Sequence, residues 1–162
     1  MTPDERRNAI DKFSTGYHEV IAALEDCPHA MWHFKSAPDR WSIHEIIIHL
    51  ADSEANAYIR FRRCIAEPGT TLSVYDQDKW ATELQYATQD TDEALELFRI
   101  LRVMTTHVLR TAPDAAWENK VTHLDWGSIA LDRILKTYVD HVDGHIQQME
   151  GNLTAWKAQH PA

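Results

Sequence analysis

Four segments of the chain carry apolar residues at steps of three and four positions, the periodicity of an amphipathic helix. The pattern predicts helices over about residues 4–25, 43–67, 92–110 and 127–157. In the first segment the apolar positions are Ile10, Phe13, Tyr17, Val20 and Leu24. Helices with one apolar face bury those faces most simply against each other. We therefore predict an all-α four-helix bundle, made by a single domain over residues 1–162.

The second helix has the clearest predicted boundaries. Ser42 and Glu45 form a capping box, in which each side chain can accept from a backbone N–H at a helix start. Pro68 and Gly69 mark the end of the helix. Its apolar positions are Ile43, Ile46, Ile47, Leu50, Ala57, Phe61, Cys64 and Ile65. The preceding segment, residues 27–40, contains two prolines and is predicted to be a loop.

The connections after the second helix are longer than a simple bundle needs. Residues 70–88 mix polar and aromatic residues, which predicts a crossover with one short helix around residues 76–84. Such a crossover argues against plain up-down-up-down connectivity. No segment alternates convincingly between apolar and polar residues, so we expect no strands. Gly127 and Ser128 are predicted to open the last helix.

Charge and composition exclude several classes of function. The formal net charge is -9, which argues against nucleic-acid binding because phosphate recognition needs a cationic face. No segment approaches the roughly 20 apolar residues of a membrane span. The first ten residues lack the apolar core of a signal peptide, so we expect a cytoplasmic location without membrane association. Cys27 and Cys64 lie far apart and are predicted to be free thiols.

The histidine pattern suggests chemistry. The chain has 10 histidines, from which composition alone predicts roughly 0.6 pairs separated by four residues. Two such pairs occur. His29 and His33 lie beside Pro28 in the predicted loop, where the spacing does not place them on one face. His141 and His145 lie in the last helix, where residues four apart are neighbours on the helix surface.

Angular positions bring a third histidine into consideration. His145 falls within the apolar stripe of its helix, His141 at the margin of that stripe, and His49 at the equivalent margin of the second helix. Buried imidazoles need partners and would repel each other if protonated, so a shared cation is one solution. Separate hydrogen bonds at helix interfaces are the other, and the spacing alone leaves both open.

Four longer motifs resemble a known family. They are WSIHEIIIHLADSE at 41–54, YDQDKWATELQY at 75–86, HLDWGSI at 123–129 and YVDHVDGHIQQM at 138–149. Their order and spacing resemble the DinB/YfiT-like family over nearly the whole chain. The resemblance implies a four-helix bundle that binds one divalent metal, commonly zinc or nickel, through His49, His141 and His145. It also implies a homodimer.

Three histidine ligands leave a zinc-like ion with an open position for water or substrate. Such an ion can lower the pKa of a water for hydrolysis, or bind a thiol as thiolate. Members of the resembling family are described as hydrolases and as thiol-dependent S-transferases. We therefore predict a metal-dependent hydrolase with a small-molecule substrate, and keep a transferase with a low-molecular-weight thiol cosubstrate as the alternative. A non-enzymatic metal-binding bundle is a third interpretation.

Carboxylates near the histidines are weaker candidates. Glu45 and Asp52 flank His49 on one side of the second helix and could act as a general base or orient the imidazole. The capping role of Glu45 and solvation of Asp52 are the favoured alternatives. The same holds for Asp140 and Asp143.

Further side chains could pair or line a pocket. Glu54 falls within the apolar stripe of the second helix and therefore needs a partner, for which Arg102 of the third helix is the candidate. Trp80, His123 and Trp126 are possible pocket residues. We expect His123, which lies in the predicted loop before the last helix, to face solvent unless it lines the mouth of the site.

Overall fold

Five helices and three short strands make up most of the computed structural model, which describes residues 1–161. The helices are α1 (Pro3–Glu25), α2 (Ile43–Ala66), α3 (Gln77–Glu83), α4 (Thr91–Thr111) and α5 (Leu131–Gln159). The strands are β1 (Thr71–Leu72), β2 (Lys120–His123) and β3 (Gly127–Ala130). Single 3-10 turns occupy His29–Met31, Tyr86–Thr88 and Asp114–Glu118. All four predicted long helices are present, as is the short helix in the crossover.

Local hydrogen bonds explain where the helices begin. The Ser42 hydroxyl accepts from the Glu45 N–H while the Glu45 carboxylate accepts from the Ser42 N–H, which confirms the predicted capping box at α2. Thr2 and Glu5 make the same box at α1. At α4 the Asp90 carboxylate accepts from two N–H groups of the first turn. Each cap satisfies backbone donors that a helix start leaves without a partner.

The four long helices form a bundle in which α1 and α2 are not neighbours, and neither are α4 and α5. Helix α1 packs against α4 and α5, and α2 packs against the same two helices. The pairs α1/α2 and α4/α5 therefore lie on the diagonals. The expectation that the bundle departs from plain up-down-up-down order is confirmed. The crossover between α2 and α4 joins neighbouring helices, whereas residues 26–42 and 112–130 connect helices on the diagonals.

A small sheet at one end of the bundle corrects the sequence prediction. Strand β1 pairs in parallel with β2, and β2 pairs antiparallel with β3. The last helix consequently begins at Leu131, whereas the sequence predicted its start at Gly127. Gly127 adopts a left-handed φ of 69°, which closes a hairpin turn instead of capping a helix. Strands of two to four residues are too short to produce a clear alternating pattern.

The core has two apolar clusters with a buried ion pair as its main charged feature. One cluster is centred on Ile46 and Met149 and the other on Phe61 and Leu135. The predicted partner of Glu54 is confirmed: Nη2 of Arg102 donates to Glu54 Oε2 at 2.8 Å, and both side chains are 2% exposed. Arg102 therefore offsets the cost of a buried carboxylate.

Helix α4 leaves several apolar side chains exposed. Thr105 is buried, whereas the adjacent Met104 is 45% exposed. Leu97, Ile100 and Val103 are also exposed on this helix. Despite these apolar positions, none of the helices within residues 1–161 is both long and apolar enough to cross a membrane.

Candidate metal centre

The structure brings together the three histidines that the sequence singled out. His49 comes from α2, and His141 and His145 come from successive turns of α5, which packs against α2. The Nε2 atom of His141 lies 3.1 Å from that of His49 and 3.0 Å from that of His145. Nitrogen ligands of one tetrahedral zinc ion lie about 3.3 Å apart, given zinc–nitrogen bonds of about 2.05 Å. Two of the three nitrogen–nitrogen separations are therefore close to those of a metal site, and the three ligand atoms all lie within 4.8 Å of one another.

Hydrogen bonding among the imidazoles does not account for this geometry. An Nε2 atom carries either one proton or one lone pair in the ring plane, so it makes one good hydrogen bond as donor or as acceptor. His141 Nε2 nevertheless has two Nε2 neighbours at hydrogen-bonding distance. One of these contacts brings two nitrogens together without a well-placed proton. A cation shared by three lone pairs satisfies all three atoms at once.

Burial keeps the three imidazoles neutral. It is the main cause that lowers the pKa of His49 to about 3, that of His141 to about 2 and that of His145 to about 4. Repulsion from His145 adds to the shift at the other two histidines. At neutral pH each ring therefore retains a lone pair, and a metal ion has no proton to displace from a charged imidazolium.

The Nδ1 atoms of His145 and His49 differ in their hydrogen-bond partners. Nδ1 of His145 lies 3.0 Å from the side-chain oxygen of Gln148. Because an amide oxygen can only accept a hydrogen bond, the proton of the neutral ring lies on Nδ1, and Nε2 keeps its lone pair. Gln148 is one turn after His145 on the same helix. Nδ1 of His49 is buried, and no protein group within residues 1–161 is its hydrogen-bond partner. His145 is thus the histidine whose metal-binding tautomer the protein selects directly.

An indole covers one side of the cluster. The Trp41 ring is centred 4.6 Å from the His49 ring and lies parallel to that of His145 at 6.2 Å. The Asn152 side chain donates to the Trp41 carbonyl at 2.9 Å and so ties this residue to α5. Trp41 directly precedes the Ser42 cap, which positions it at the start of α2. It removes two of the histidines from water and contributes to their lowered pKa values.

A family model described as the DinB superfamily matches residues 12–149. The chain belongs to the DinB superfamily. The resemblance found in the sequence motifs is thereby confirmed over most of the chain.

Other DinB-type proteins are similar to this chain in sequence and in structure. "Putative metal-dependent hydrolase YfiT" of Bacillus subtilis is 31% identical over 141 residues, which are 84% of this chain and 79% of that protein. OB0782 of Oceanobacillus iheyensis has the same description and is 31% identical over 106 residues, 65% of this chain and 61% of that protein. A solved structure of YfiT superposes with a TM-score of 0.86 at 25% identity, covering 94% of this chain and 87% of that one. It is described as a "probable metal-dependent hydrolase with an unusual four-helix bundle topology".

Two cavities border the histidine cluster of this DinB-superfamily chain. The larger, of about 620 Å³, is lined by His145, Trp41 and Gln148 among others. The smaller, of about 270 Å³, is lined by His141 and by residues of α2, the crossover and the β2–β3 hairpin. Gln77, the first residue of α3, lines both, so the two cavities adjoin at the crossover. Small molecules can therefore reach the cluster past His141 and past His145.

The two carboxylates suggested as bases already have protein partners. Glu45 is buried in its capping box and pairs with Lys35 Nζ at 2.8 Å, which lowers its pKa against the opposing effect of burial. Asp52 accepts a hydrogen bond from the Tyr86 hydroxyl at 2.5 Å. Neither residue lines the two cavities. The geometry accordingly favours their structural interpretations.

The suggested pocket residues divide into two groups. His123 and Trp126 line the smaller cavity, with their rings stacked at 4.0 Å. Trp80 lies against Tyr75 and borders a separate depression. The expectation that His123 faces solvent is wrong, because it ends strand β2 and is only 3% exposed. The two remaining carboxylates, Asp140 and Asp143, pair with lysines.

Sequence reasoning missed several residues that border the cluster. Gln148 could have been found, because it lies three positions after His145 on the same helix face. Trp41 belongs to one of the motifs but carries no spacing signal of its own. Arg60 and Tyr138 meet across two helices, and no local pattern predicts such a contact.

Proposed function

We propose that the chain binds one divalent transition-metal ion, zinc or nickel, through Nε2 of His49, His141 and His145, and that it is a metal-dependent hydrolase of small molecules. The observation that carries the proposal is the convergence of three neutral imidazoles, with Nε2 of His49 and of His145 at 3.1 and 3.0 Å from Nε2 of His141. The related proteins, which are described as metal-dependent hydrolases, support the same activity.

The protein groups around the cluster fit an open metal site. Three nitrogen ligands leave at least one coordination position free, as in catalytic zinc sites. His141 is only partly buried and faces a cavity, so the free position is accessible to a small molecule. When bound, the ion supplies Lewis-acid chemistry, polarising a carbonyl or lowering the pKa of a water. Nitrogen ligands suit both zinc and nickel.

The residues of this chain have three tasks in the proposed reaction. Burial holds the imidazoles neutral, Gln148 fixes the tautomer of His145, and Trp41 excludes water from one side. The two cavities hold the reactant beside the cluster. Glu45 and Asp52 are held by other protein groups and do not line the two cavities, so neither acts as a base in this scheme.

Metal-dependent hydrolysis is the direct test of the proposed activity. Metal-free protein, and protein reconstituted with zinc or nickel, would be assayed against a panel of esters, amides, lactones and phosphodiesters. We expect hydrolysis only after reconstitution, retained in His107→Ala, an exposed histidine of α4, and lost in His145→Ala. Hydrolysis that is independent of metal, or equal in His145→Ala, would overturn the proposal.

A thiol S-transferase is the second candidate, and the paired cavities favour it. A transferase must hold a thiol and an electrophile on the same ion, and the cavities of about 620 and 270 Å³ meet at Gln77 beside the cluster. The same panel, extended with halogenated and epoxide electrophiles, would be run with and without glutathione, cysteine and bacillithiol. Turnover that requires the thiol identifies the transferase, and turnover in its absence identifies the hydrolase.

We also propose the cytoplasmic location that the N-terminal sequence predicts and the homodimer that the resemblance implies. The exposed apolar side chains of α4 offer surface that a second copy could cover. Sedimentation equilibrium would give the mass directly. A mass that stays at 18.7 kDa across the concentration range would overturn the homodimer. Metal binding without turnover in any assay would identify a non-enzymatic metal-binding bundle.

A further inference from the structure

The smaller cavity contains an arginine without a carboxylate partner. Arg60 of α2 donates through Nη1 to the Tyr138 hydroxyl and through Nη2 to the Ser73 carbonyl, both at 2.9 Å. Its Nε is buried and has no acceptor among residues 1–161, and no ion pair involving Arg60 occurs in that part of the chain. Arg102, by contrast, has its own buried carboxylate. Nη1 and Nη2 each carry a second N–H, so this half-buried guanidinium has donors left for an anion.

The groups around Arg60 are also hydrogen-bond donors. The Tyr138 hydroxyl accepts from Arg60, so its own proton is free to donate. Nδ1 of His123 accepts from the Asp125 N–H, which assigns the proton of the neutral ring to Nε2. Tyr75 contributes a second phenol to the lining. Burial raises the pKa of both tyrosines, so they stay protonated at neutral pH.

The charged groups that line the smaller cavity also favour an anion. Arg60 is its one cationic group, and its charge acts on His123 and on Tyr138. Asp125 is the one carboxylate in the lining, and its side chain is 68% exposed, so solvent screens it. Inside the cavity, therefore, the donors and the guanidinium face an unoccupied volume of about 270 Å³ next to His141.

We propose that this cavity binds a carboxylate group of the substrate, held by Arg60 with help from Tyr138 and His123. That the bound molecule is a substrate rests on the proposed function. It assigns that substrate to the class of small organic acids. Because His141 lines the cavity and also contributes Nε2 to the cluster, a carboxylate here leaves the rest of the molecule beside the metal ligands. Arg60 then has a positioning role, since it fixes the acid relative to the cluster.

Anion binding to metal-free protein tests the subsite without relying on activity. Succinate and inorganic phosphate would be titrated by isothermal calorimetry at constant ionic strength, with chloride as the reference anion. We expect succinate to bind wild type, to bind Arg60→Gln about tenfold or more weakly, and to bind Arg60→Lys with an intermediate loss. Phosphate that binds as well as succinate would identify a general oxyanion site and overturn the carboxylate assignment.

A matched arginine provides the control for folding and net charge. Arg63 lies one turn further along α2 and donates to the Thr71 carbonyl, as Arg60 does to Ser73, but it does not line this cavity. Arg63→Gln should bind succinate like wild type. Circular dichroism and thermal unfolding would establish that all variants are folded, and Tyr138→Phe should weaken binding while leaving the guanidinium in place. Equal binding by wild type and Arg60→Gln, or no binding of succinate at millimolar concentration, would overturn the subsite.

Metal content, measured on the same samples, separates the two proposals. Metal bound normally, with succinate binding unaffected by Arg60→Gln, would overturn the carboxylate subsite and leave the metal centre standing. Succinate binding that depends on Arg60 in a chain unable to bind metal would support the anion site and overturn the proposed function. In metal-loaded protein, Arg60→Gln should raise KM for an acidic substrate more than it lowers kcat.

Discussion

The hydrogen bond between His145 and Gln148 decides which nitrogen of His145 can bind a cation. The side-chain oxygen of Gln148 accepts the Nδ1 proton and leaves the Nε2 lone pair directed at its neighbours. His49 has no corresponding protein group at Nδ1 within residues 1–161. The two rings therefore differ in how firmly their tautomers are set, and this difference can be measured.

Replacing Gln148 should weaken metal binding without unfolding the bundle. Gln148→Ala removes the acceptor for Nδ1 of His145, and loss of such a partner typically costs about 10- to 100-fold in metal affinity. Competition with a chromophoric chelator measures the affinity. Gln147→Ala, an exposed neighbour without this contact, is the control and should bind metal like wild type. Equal affinities for the two variants would show that Gln148 has no part in the site.

Acid should destabilise the metal-free protein through the same histidines. Their pKa values are about 3, 2 and 4 in the folded chain, against about 6.5 when unfolded. Below pH 6.5 the unfolded state therefore binds more protons, and the free energy of unfolding falls as pH decreases. Each histidine lowers the free energy of unfolding by at most about 1.4 kcal/mol per pH unit, until the pH reaches the pKa of that histidine in the folded chain. Urea unfolding of wild type between pH 7 and pH 4 should show a steeper decline than that of His145→Ala, and parallel curves would contradict the assignment.

Among the elements, the contact between α1 and α4 depends on the absence of one side chain. A Cβ added at Gly16 of α1 would lie 2.2 Å from Nη1 of Arg102, which donates to the Phe13 carbonyl and belongs to the buried pair with Glu54. Gly16 therefore lets α1 approach the guanidinium closely enough to supply a backbone acceptor. This acceptor helps to offset the desolvation of Arg102.

Alanine at two helical glycines should have opposite effects. Gly16→Ala should destabilise the protein by about 1 to 3 kcal/mol, because the Arg102 side chain must move from its acceptors. Gly151→Ala on α5, where a Cβ meets no atom within 4 Å, should stabilise by up to about 1 kcal/mol through helix propensity. Urea unfolding measures both. A Gly16→Ala variant as stable as wild type would mean that the close contact is not maintained in solution.

The elements also show what local sequence can and cannot predict. Helices α1, α2, α4 and α5 extend over 21 to 29 residues, long enough for periodicity and caps to reveal them. Strands β1 to β3 have only two to four residues, too few for a clear alternating pattern, and β1 pairs with β2 about 50 residues away while β2 and β3 form a local hairpin. Residues 127–130 were therefore predicted as the start of a helix. The error affected the site as well, because His123 is buried by the same hairpin.

In the whole molecule the histidine cluster joins two helices that are far apart in the chain. His49 and His141 are separated by 92 positions, and a shared ion would link α2 to α5. The HxxxH pair was predictable from spacing on one helix and His49 from its angular position on another, and the resemblance implied that all three are ligands. His123 and Trp126 were predicted as possible pocket residues, but Arg60 and Tyr138 of the smaller cavity were not, because they meet only where different helices pack. Only the packing of the complete bundle places them around one volume.

Metal binding should therefore stabilise the complete fold. An ion that binds only the folded chain raises the free energy of unfolding by about 2.7 kcal/mol when its free concentration is about a hundred times its Kd. Thermal unfolding of wild type should shift to lower temperature when a chelator is added and return with zinc or nickel. His145→Ala should show a much smaller response in either direction. A wild-type midpoint that is indifferent to chelator and metal would contradict the predicted link between α2 and α5.

Metal content is the measurement that shows whether His49, His141 and His145 hold one ion. Elemental analysis would be run on protein purified without a histidine tag or chelator, for wild type, His49→Ala, His145→Ala and the control His107→Ala. We predict about one equivalent of transition metal in wild type and in His107→Ala, and its loss in the other two variants. Full metal content in His145→Ala, or a wild type that binds no metal after reconstitution at neutral pH, would contradict the account.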